Sequence, residues 1–403
     1  MPSTTRRQLI AGSAAVATVG YVGFRLIEGA PKADFASWTP EQGTWPLSRY
    51  DTQNTAHNPH ANPPRETPEM RELGSVASDG ADPAYFSPLA GSDRLVVFGD
   101  HLAAYAQGKM TTIGEAETYF AGFDPSSRLH VTSESRTDAN LVGYDGNRET
   151  YRYSVPGHIE GLTVGADEIY IGTLNDGVFA YEPDTGRDWV VGGETCALTG
   201  GRLYTVGGRD GTLAYHDRAP PGQWVSAGPG RMWTAPSVRG DTHPPAVADG
   251  RVVVGTFGLH ESELAAFDAE TGEQLWEPKS FADGGAADVS APAVTARDGY
   301  VAAGINGLTT GFVARYNLES GDQVWRKDTD WYASDPVLAD DTLVVAGDVR
   351  VGSEAPATTV RAYDTESGDE LWTVTFSGEG GTNLALVGER VLATAGTSLY
   401  ELA

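Results

Sequence analysis

Six polar residues stand at or just before the starts of short apolar strands, where side chains with ligand-binding chemistry could gather around one axis. They are Glu160, Glu194, His243, Asp288, Asp335 and Asn383. Carboxylates around a common opening can bind a cation or a basic ligand. His243 precedes Pro244 and Pro245, which favours a structural role over that of a general base. A water-filled vestibule without a specific ligand is the other interpretation of this set.

Cys196 is the only cysteine, so the chain cannot form a disulfide within itself. The apolar run from Thr195 to Leu198 around it predicts a small buried side chain rather than a catalytic or metal-bound thiol. The Asp-rich turns of the chain do not have the ligand spacing of a calcium loop. We therefore predict no catalytic residue and no metal site.

The chain of 403 residues is strongly acidic, with 55 acidic and 28 basic side chains and a formal net charge of −27. Such a field repels nucleic acid and anionic membrane surfaces, which argues against a nucleic-acid partner. The scarcity of lysine resembles the composition of proteins from salt-loving archaea, where molar salt screens the self-repulsion. An acidic, solvated surface without a specific partner is the simpler interpretation.

The N-terminus has the order of features of a twin-arginine export signal. Arg6 and Arg7 precede an uncharged, Gly/Ala-rich run from Leu9 to Phe24. As a helix, this run would span roughly 24 Å, slightly short of a bilayer core. We predict that residues 1–25 are a signal peptide or a signal anchor, with a membrane tether through residues 9–24 if it is kept. The predicted location is extracellular, or anchored on the outer face of the membrane.

A short strand recurs eight times along the chain. The copies begin at Arg94, Arg128, Glu168, Arg202, Arg251, Tyr300, Thr342 and Arg390. Their spacing averages about 42 residues, the length of a four-stranded blade. With 50 Gly, 23 Pro and no long amphipathic helical pattern, this repeat predicts an all-β protein. We predict an eight-bladed β-propeller of four-stranded blades over residues 63–403.

A turn and a tryptophan accompany the repeat, as in Phe267-Asp268-Ala269-Glu270-Thr271-Gly272-Glu273-Gln274-Leu275-Trp276. Asp caps its own backbone in such a turn, and Gly accepts the left-handed conformation that closes the hairpin. Each Trp is predicted to cover the seam to the next blade, which stabilises the ring by at most roughly 4–6 kcal/mol per residue. The predicted seam residues are Trp189, Trp224, Trp276, Trp325 and Trp372.

This pattern resembles the signature of PQQ-type repeats, as in quinoprotein dehydrogenases and BamB-like scaffolds. The segment from Trp45 to Thr55 is similar to the lead-in motif that commonly precedes the first blade in that family. We therefore assign residues 26–62 to a tether and this motif. The resemblance covers about residues 45–403 and is specific for the fold. It implies that the six polar residues named first lie at the mouth of a central channel.

For activity the resemblance implies less. The dehydrogenases of the family hold PQQ and Ca²⁺ at the channel mouth, with an Asp base and an adjacent pair of cysteines. This chain has one cysteine, and no Glu, Asn and Asp set matches position by position. We therefore predict a monomeric, non-catalytic scaffold for protein–protein interaction or assembly at the cell surface, with an unknown protein partner and no cofactor. The alternatives are a PQQ- and Ca²⁺-dependent dehydrogenase, and a carbohydrate- or peptide-binding propeller.

The eighth unit, residues 381–403, has three strands and stops before its turn and Trp strand. A segment near the N-terminus, residues 68–74, has the character of the missing strand, with Met70 in place of the Trp. Pairing the two ends covers edges that would otherwise stay open. We predict that the ring is closed by this pairing.

Overall fold

The computed structural model describes residues 35–76, 87–99, 101–114, 118–134, 138–174, 176–184, 186–207, 212–217, 229–235, 238, 241–257, 262–281, 287–305, 311–349, 357–377 and 382–403. Over these ranges the chain contains strands and no helix. The strands form eight antiparallel sheets, which are the blades of a β-propeller. The predicted fold class is therefore confirmed.

The first strand, β1 (Met70–Ser75), belongs to the last blade, and blades 1 to 4 follow in chain order. Blade 1 consists of β2 (Ser87–Ala90), β3 (Leu95–Phe98), β4 (Leu102–Ala106) and β5 (Lys109–Gly114). Blade 2 consists of β6 (Ala121–Phe123), β7 (Leu129–Glu134), β8 (Ala139–Asp145) and β9 (Arg148–Val155). Blade 3 consists of β10 (Ile159–Val164), β11 (Ile169–Thr173), β12 (Gly177–Glu182) and β13 (Gly186–Val191). Blade 4 consists of β14 (Thr195–Thr199), β15 (Arg202–Val206), β16 (Ala214–Asp217) and β17 (Gly230–Thr234).

In blades 5 to 7 the innermost strand is divided into two short pieces. Blade 5 consists of β18 (Asp241–Thr242), β19 (Ala246–Ala248), β20 (Arg251–Phe257), β21 (Glu263–Asp268) and β22 (Lys279–Ser280). Blade 6 consists of β23 (Ala287–Val289), β24 (Ala293–Val294), β25 (Asp298–Ile305), β26 (Gly311–Asn317) and β27 (Gln323–Thr329). Blade 7 consists of β28 (Tyr332–Ala333), β29 (Val337–Leu338), β30 (Thr342–Val349), β31 (Ala357–Asp364) and β32 (Glu370–Ser377). Blade 8 consists of β33 (Leu384–Val387), β34 (Arg390–Ala395) and β35 (Ser398–Leu402), with β1 outermost.

Proline explains the divided inner strands. Pro244 and Pro245 separate β18 from β19, Pro292 separates β23 from β24, and Pro336 separates β28 from β29. Because proline has no N–H, it cannot donate to the ladder and interrupts it. The backbone at each break is then available to contact something other than the neighbouring strand.

Three of the predicted seam tryptophans donate a hydrogen bond from the indole N–H to a backbone carbonyl of an adjacent segment. Trp276 Nε1 donates to Leu318 O at 3.0 Å, and Trp325 Nε1 donates to Thr365 O at 3.0 Å. Both acceptors belong to the turn of the next blade. Trp372 Nε1 donates instead to Pro64 O at 2.7 Å, because blade 8 has no such turn. Trp189 packs its ring 5.7 Å from Phe35, in the segment before the first blade.

In blade 4 the seam position is held by a tryptophan that the sequence analysis did not assign to it. Trp224 lies outside the described residues. Trp233 packs against Gly272, where an added Cβ would lie 2.6 Å from its ring. Gly272 has a φ of +73° and belongs to the next blade's turn, so it fits this place on both steric and conformational grounds.

The cross-blade hydrogen bond can be separated from the shape of the indole. We expect Trp325→Phe to lower the free energy of unfolding by about 0.5–1.5 kcal/mol, because the buried Thr365 carbonyl loses one of its two donors and keeps only Arg315. Trp233→Phe is the matched control, since Trp233 Nε1 has no hydrogen-bond partner among the described residues. Denaturant unfolding should therefore give a smaller loss for Trp233→Phe. Equal losses would show that only indole volume matters.

The ring closes as predicted, by pairing of β1 with β35. Glu69 and Ala403 exchange two backbone hydrogen bonds at the end of this pairing. The prediction for Met70 is wrong. Its partner in the ladder is Leu402, at the strand end, and half of its surface is exposed. The register therefore places Met70 outside the seam.

Candidate binding site at the channel mouth

Residues 35–62, which we call the plug, lie across the centre of the ring. Their backbone is hydrogen-bonded to the innermost part of every blade. The pairs are Trp45–Ala90, Pro46–Phe123, Ala36–Ala166, Thr52–Leu198, Gln53–Val247, Thr55–Val294, Ala56–Leu338 and Asn62–Gly388. The described part of the predicted tether and lead-in motif is thus packed into the propeller. The plug therefore occupies part of the space that the inner strands enclose.

Polar side chains of the plug form hydrogen bonds with the plug's own backbone and with the backbone of the inner strands. Asp51 Oδ1 accepts from the backbone N–H of Gln53 and of Thr55, at 3.1 and 3.0 Å. Burial raises the pKa of Asp51 to about 6. Asn54, at a left-handed φ of 55°, donates from Nδ2 to Cys196 O and to Pro245 O. One amide therefore joins blades 4 and 5 to the plug.

Arg49 anchors the plug to the next two blades, 6 and 7. Its guanidinium donates to Asn54 O, to Pro292 O and to Asp335 Oδ2, and the side chain is 9% exposed. Burial lowers the pKa of Arg49, and the charge of Asp335 acts against this shift. Pro292 O can accept this bond because the proline break frees the backbone there.

Above the plug lies a cavity of about 350 Å³, which we call the mouth cavity. Four of the six polar residues singled out in the sequence line it, namely Glu160, His243, Asp335 and Asn383. Plug residues, Arg49 among them, and the rings of Phe120 and Phe257 complete the wall. Glu194 does not line the cavity. Asp288 lies in β23, opposite Gly304, and its side chain is outside the described part.

Negative charge dominates one side of the opening. The pKa of Glu160 is raised, first by burial and then by the charges of Glu194, Glu134 and Asp241, against the effect of His158. His158 Nδ1 lies 2.5 Å from Glu134 Oε1, and this contact raises the pKa of the imidazole. Glu194 therefore contributes to the site through its charge, although it does not line the cavity. The sequence analysis missed Glu134 and Asp241, which no repeat signal marks.

The other polar groups of the mouth cavity are held by the fold. His243 Nε2 donates to Val289 O at 2.7 Å, and its ring packs 4.7 Å from that of Phe257. Asp335 accepts from Arg49 through Oδ2 and from the backbone N–H of Ala291 through Oδ1. These bonds hold the side chains of His243 and Asp335 in place in the wall of the cavity.

Comparison with protein families shows to which family the chain belongs. The family model described as "Outer membrane protein assembly factor BamB" matches residues 153–310 and 309–403, more than half of the chain. The chain belongs to this PQQ-repeat family. The eight blades extend the family's architecture to the part of the chain before residue 153.

Solved structures support the fold of this BamB-like chain and no more. The computationally designed Ika8 protein is 14% identical, with a TM-score of 0.60 over 83% of this chain and 100% of its own. Saccharomyces cerevisiae Sqt1 is 14% identical, with a TM-score of 0.55 over 85% of this chain and 99% of its own. A europium-containing methanol dehydrogenase is 10% identical, with a TM-score of 0.40 over 88% of this chain and 90% of its own. The comparison with curated proteins gives no match.

The mouth cavity of this BamB-like chain does not fit PQQ with Ca²⁺. The tricarboxylate quinone needs cationic partners, and Arg49, the only Arg or Lys in the wall, is already bound to Asp335 and two carbonyls. In the described ranges, no three His, Cys, Asp or Glu side chains form a group that could hold a metal ion. Cys196 is buried, and burial raises the pKa of its thiol to about 12.

The described part of this BamB-like chain contains no helix with the length and apolar character needed to cross a membrane.

Proposed function

We propose that this chain is an exported, non-catalytic scaffold, which binds a basic segment of a protein partner at the mouth of the ring. The observation that carries the proposal is the mouth cavity, which the plug lines on one side and which is bordered by four carboxylates, two of them beside the imidazole of His158. Membership of the BamB-type family supports a role in protein interaction. Propellers commonly present variable loops on a rigid frame, and such surfaces favour binding.

The state of the polar groups favours binding over catalysis. A general base must be free to take a proton from a substrate within hydrogen-bond reach. Two polar groups in the cavity wall already have hydrogen-bond partners in the protein. His243 donates to Val289 O. Asp335 accepts from Arg49 and from the Ala291 N–H. They are therefore suited to holding the walls of a binding cavity in place.

Charge indicates the chemistry of the partner. The charges of Glu194, Glu134 and Asp241 repel that of Glu160, and a cation brought next to Glu160 relieves that repulsion. The net charge of −27 adds long-range attraction for basic segments and speeds their encounter. A cavity of about 350 Å³ is at the small end of ligand pockets, and it suits a few side chains of an extended peptide.

The place of action that we propose is outside the cytoplasm. Support comes from Arg6, Arg7 and the uncharged run from Leu9 to Phe24, all of which lie outside the described residues. The plug begins to pack at Phe35, so about ten residues separate the end of that run from the ring. A retained signal anchor would hold the propeller close to the membrane.

A synthetic basic peptide tests the proposal without knowledge of the natural partner. Fluorescence anisotropy would compare a labelled Arg-rich peptide with a Glu-rich peptide of the same length. We expect the full chain to bind only the basic peptide. The double variant Glu160→Gln, Glu194→Gln should weaken binding by about tenfold at low ionic strength, because two local charges are lost.

The control removes the same charge from the opposite face of the ring. Glu319 and Glu366 are exposed in the turns of blades 6 and 7, far from the inner-strand starts. The double variant Glu319→Gln, Glu366→Gln should change the affinity by less than about twofold. Equal weakening by both pairs would mean that the peptide responds to overall charge, and the mouth would then be the wrong site.

A further inference from the structure

The seam between blades 6 and 7 is closed by an ion pair on its outer side. Lys327 Nζ lies 3.1 Å from Asp369 Oδ1. Lys327 follows Trp325 on the outer strand, and a Cβ added to Gly368 would meet both of these side chains. This arrangement gives a reference for the neighbouring seam.

The corresponding lysine and aspartate between blades 5 and 6 do not form an ion pair. A Cβ added to Gly321 would meet Trp276 and Lys279, so Lys279 corresponds to Lys327 and Asp322 to Asp369. Yet the side-chain ammonium of Lys279 forms no hydrogen bond and no ion pair with any residue that the structure describes. Its ammonium lies 5.7 Å from the ring of Trp276. An unpaired lysine is conspicuous in a chain with 55 acidic side chains.

An extra residue in the outer strand of blade 5 explains the difference. This strand pairs with β21 at Gln274 and again at Lys279, and its four residues 275–278 face only two of β21. In blades 6 and 7 three outer residues face two at the same place. Pro278 is one of these four residues, and because it has no N–H it cannot donate a hydrogen bond to the ladder. The strand therefore bulges away from β21 over residues 275–278 and pairs with it again at Lys279, whose ammonium is not paired with Asp322.

A cavity of about 360 Å³ opens where the strand departs, and we call it the seam cavity. Cationic, anionic and neutral polar groups share its wall with three aromatic rings. The lining residues are Pro278, Lys279, Ser280, Phe281, Phe312, Tyr316, Gly321, Asp322, Gln323 and Arg326. The guanidinium of Arg326 lies 4.0 Å from the centre of the Phe312 ring. Only its Nε is engaged, by Asp328, within the described part of the chain.

We propose that the seam cavity binds a small hydroxylated monocarboxylate of the sugar-acid class. Lys279 and the free nitrogens of Arg326 supply donors for one carboxylate. Asp322 can accept hydrogen bonds from hydroxyl groups, while its charge disfavours a dianion such as phosphate. Gln323 and Ser280 add further polar partners.

The aromatic rings favour a hydroxylated ligand over a flat aromatic acid. Phe281, Phe312 and Tyr316 are all buried, and Arg326 covers the face of Phe312. No open ring face is then offered to a stacking ligand. The rings instead form an apolar wall, and the polar groups around it decide what binds.

Calorimetric titration of the full chain, at constant ionic strength, tests this proposal with defined probes. D-glucuronate is expected to bind, and glucose, benzoate and inorganic phosphate are expected to bind at least about tenfold more weakly. Absence of glucuronate binding would overturn the proposal. Comparable binding of glucose, benzoate or phosphate would overturn it as well, because the assigned class of ligand would be wrong.

Substitutions at the two seams locate the site. Lys279→Gln and Arg326→Gln should each weaken glucuronate binding by about tenfold, because each removes a charged donor. Lys327→Gln, the control at the closed seam, should change it by less than about twofold. Thermal unfolding of each variant verifies that the ring is intact. Equal effects of Lys279→Gln and Lys327→Gln, or none at Lys279, would refute the assignment.

Discussion

Deletion of residues 401–403 is expected to lower the melting temperature of the propeller more than any single surface substitution. The deletion removes Glu401, whose carboxylate lies 2.7 Å from Arg71 and 2.8 Å from Arg390. It also removes Leu402, which is fully buried, and the two backbone bonds between Ala403 and Glu69. The pairing of β1 with β35 then loses two of its five residue pairs, and the end of β1 is left open. An unchanged melting curve would contradict closure through these strands.

Two point variants on one rung of the ladder sharpen this test. Leu402 and Met70 face each other between β35 and β1, but Leu402 is fully buried and Met70 is half exposed. Leu402→Ala should lower the free energy of unfolding by about 2–5 kcal/mol, because a cavity remains in the core. Met70→Ala should change it by less than about 0.5 kcal/mol. Denaturant unfolding of both variants measures the difference, and similar losses would mean that the register is wrong.

Substitution of Arg49 by Met is expected to loosen the plug. The change removes donors to Asn54 O, Pro292 O and Asp335, and the two carbonyls stay buried without them. Loss of a buried, hydrogen-bonded charge commonly costs 3–5 kcal/mol, but Asp335 is 49% exposed and regains water. We therefore expect a loss of about 3 kcal/mol in denaturant unfolding. Hydrogen exchange of residues 45–58 should accelerate at the same time.

The same substitution at Arg152 provides the control for the plug. Arg152 pairs with Glu149 three positions earlier, and both side chains are more than two-fifths exposed. An exposed local ion pair contributes between about 0 and 1 kcal/mol, so Arg152→Met should have little effect. Arg49→Lys should recover only part of the loss, because an ammonium cannot reproduce the planar fork. Equal results for Arg49→Met and Arg152→Met would mean that the plug does not depend on this anchor.

The sequence by itself determined the blades. Eight copies of a short strand, five of them accompanied by a turn and a following tryptophan, are signals within about 50 residues, and each unit forms by local pairing of antiparallel neighbours. The turn of blade 5 illustrates this, since Asp268 Oδ1 accepts from the backbone N–H of Glu270 and of Thr271. The number of blades and the closure of the ring followed, because a unit with three strands needs a fourth from elsewhere.

The sequence placed part of the candidate site. Residues that start inner strands must surround the axis of a propeller, so Glu160, His243, Asp335 and Asn383 reach one cavity. The same argument does not fix the direction of each side chain, and Glu194 lies outside the wall. In blade 4 it named Trp224, which lies outside the described residues, and it did not assign Trp233, which packs against Gly272.

Only the tertiary structure decided what fills the centre of the ring. Arg49 reaches Asp335 across 286 positions of the chain, and Asn58 reaches Leu386 across 328. Contacts of this separation leave no periodic mark in a sequence, because they depend on where a folded ring leaves carbonyls without partners. The register of β1 belongs to the same class. It is set by pairing with β35 more than 300 residues away, which moves Met70 out of the seam and Leu402 into the core.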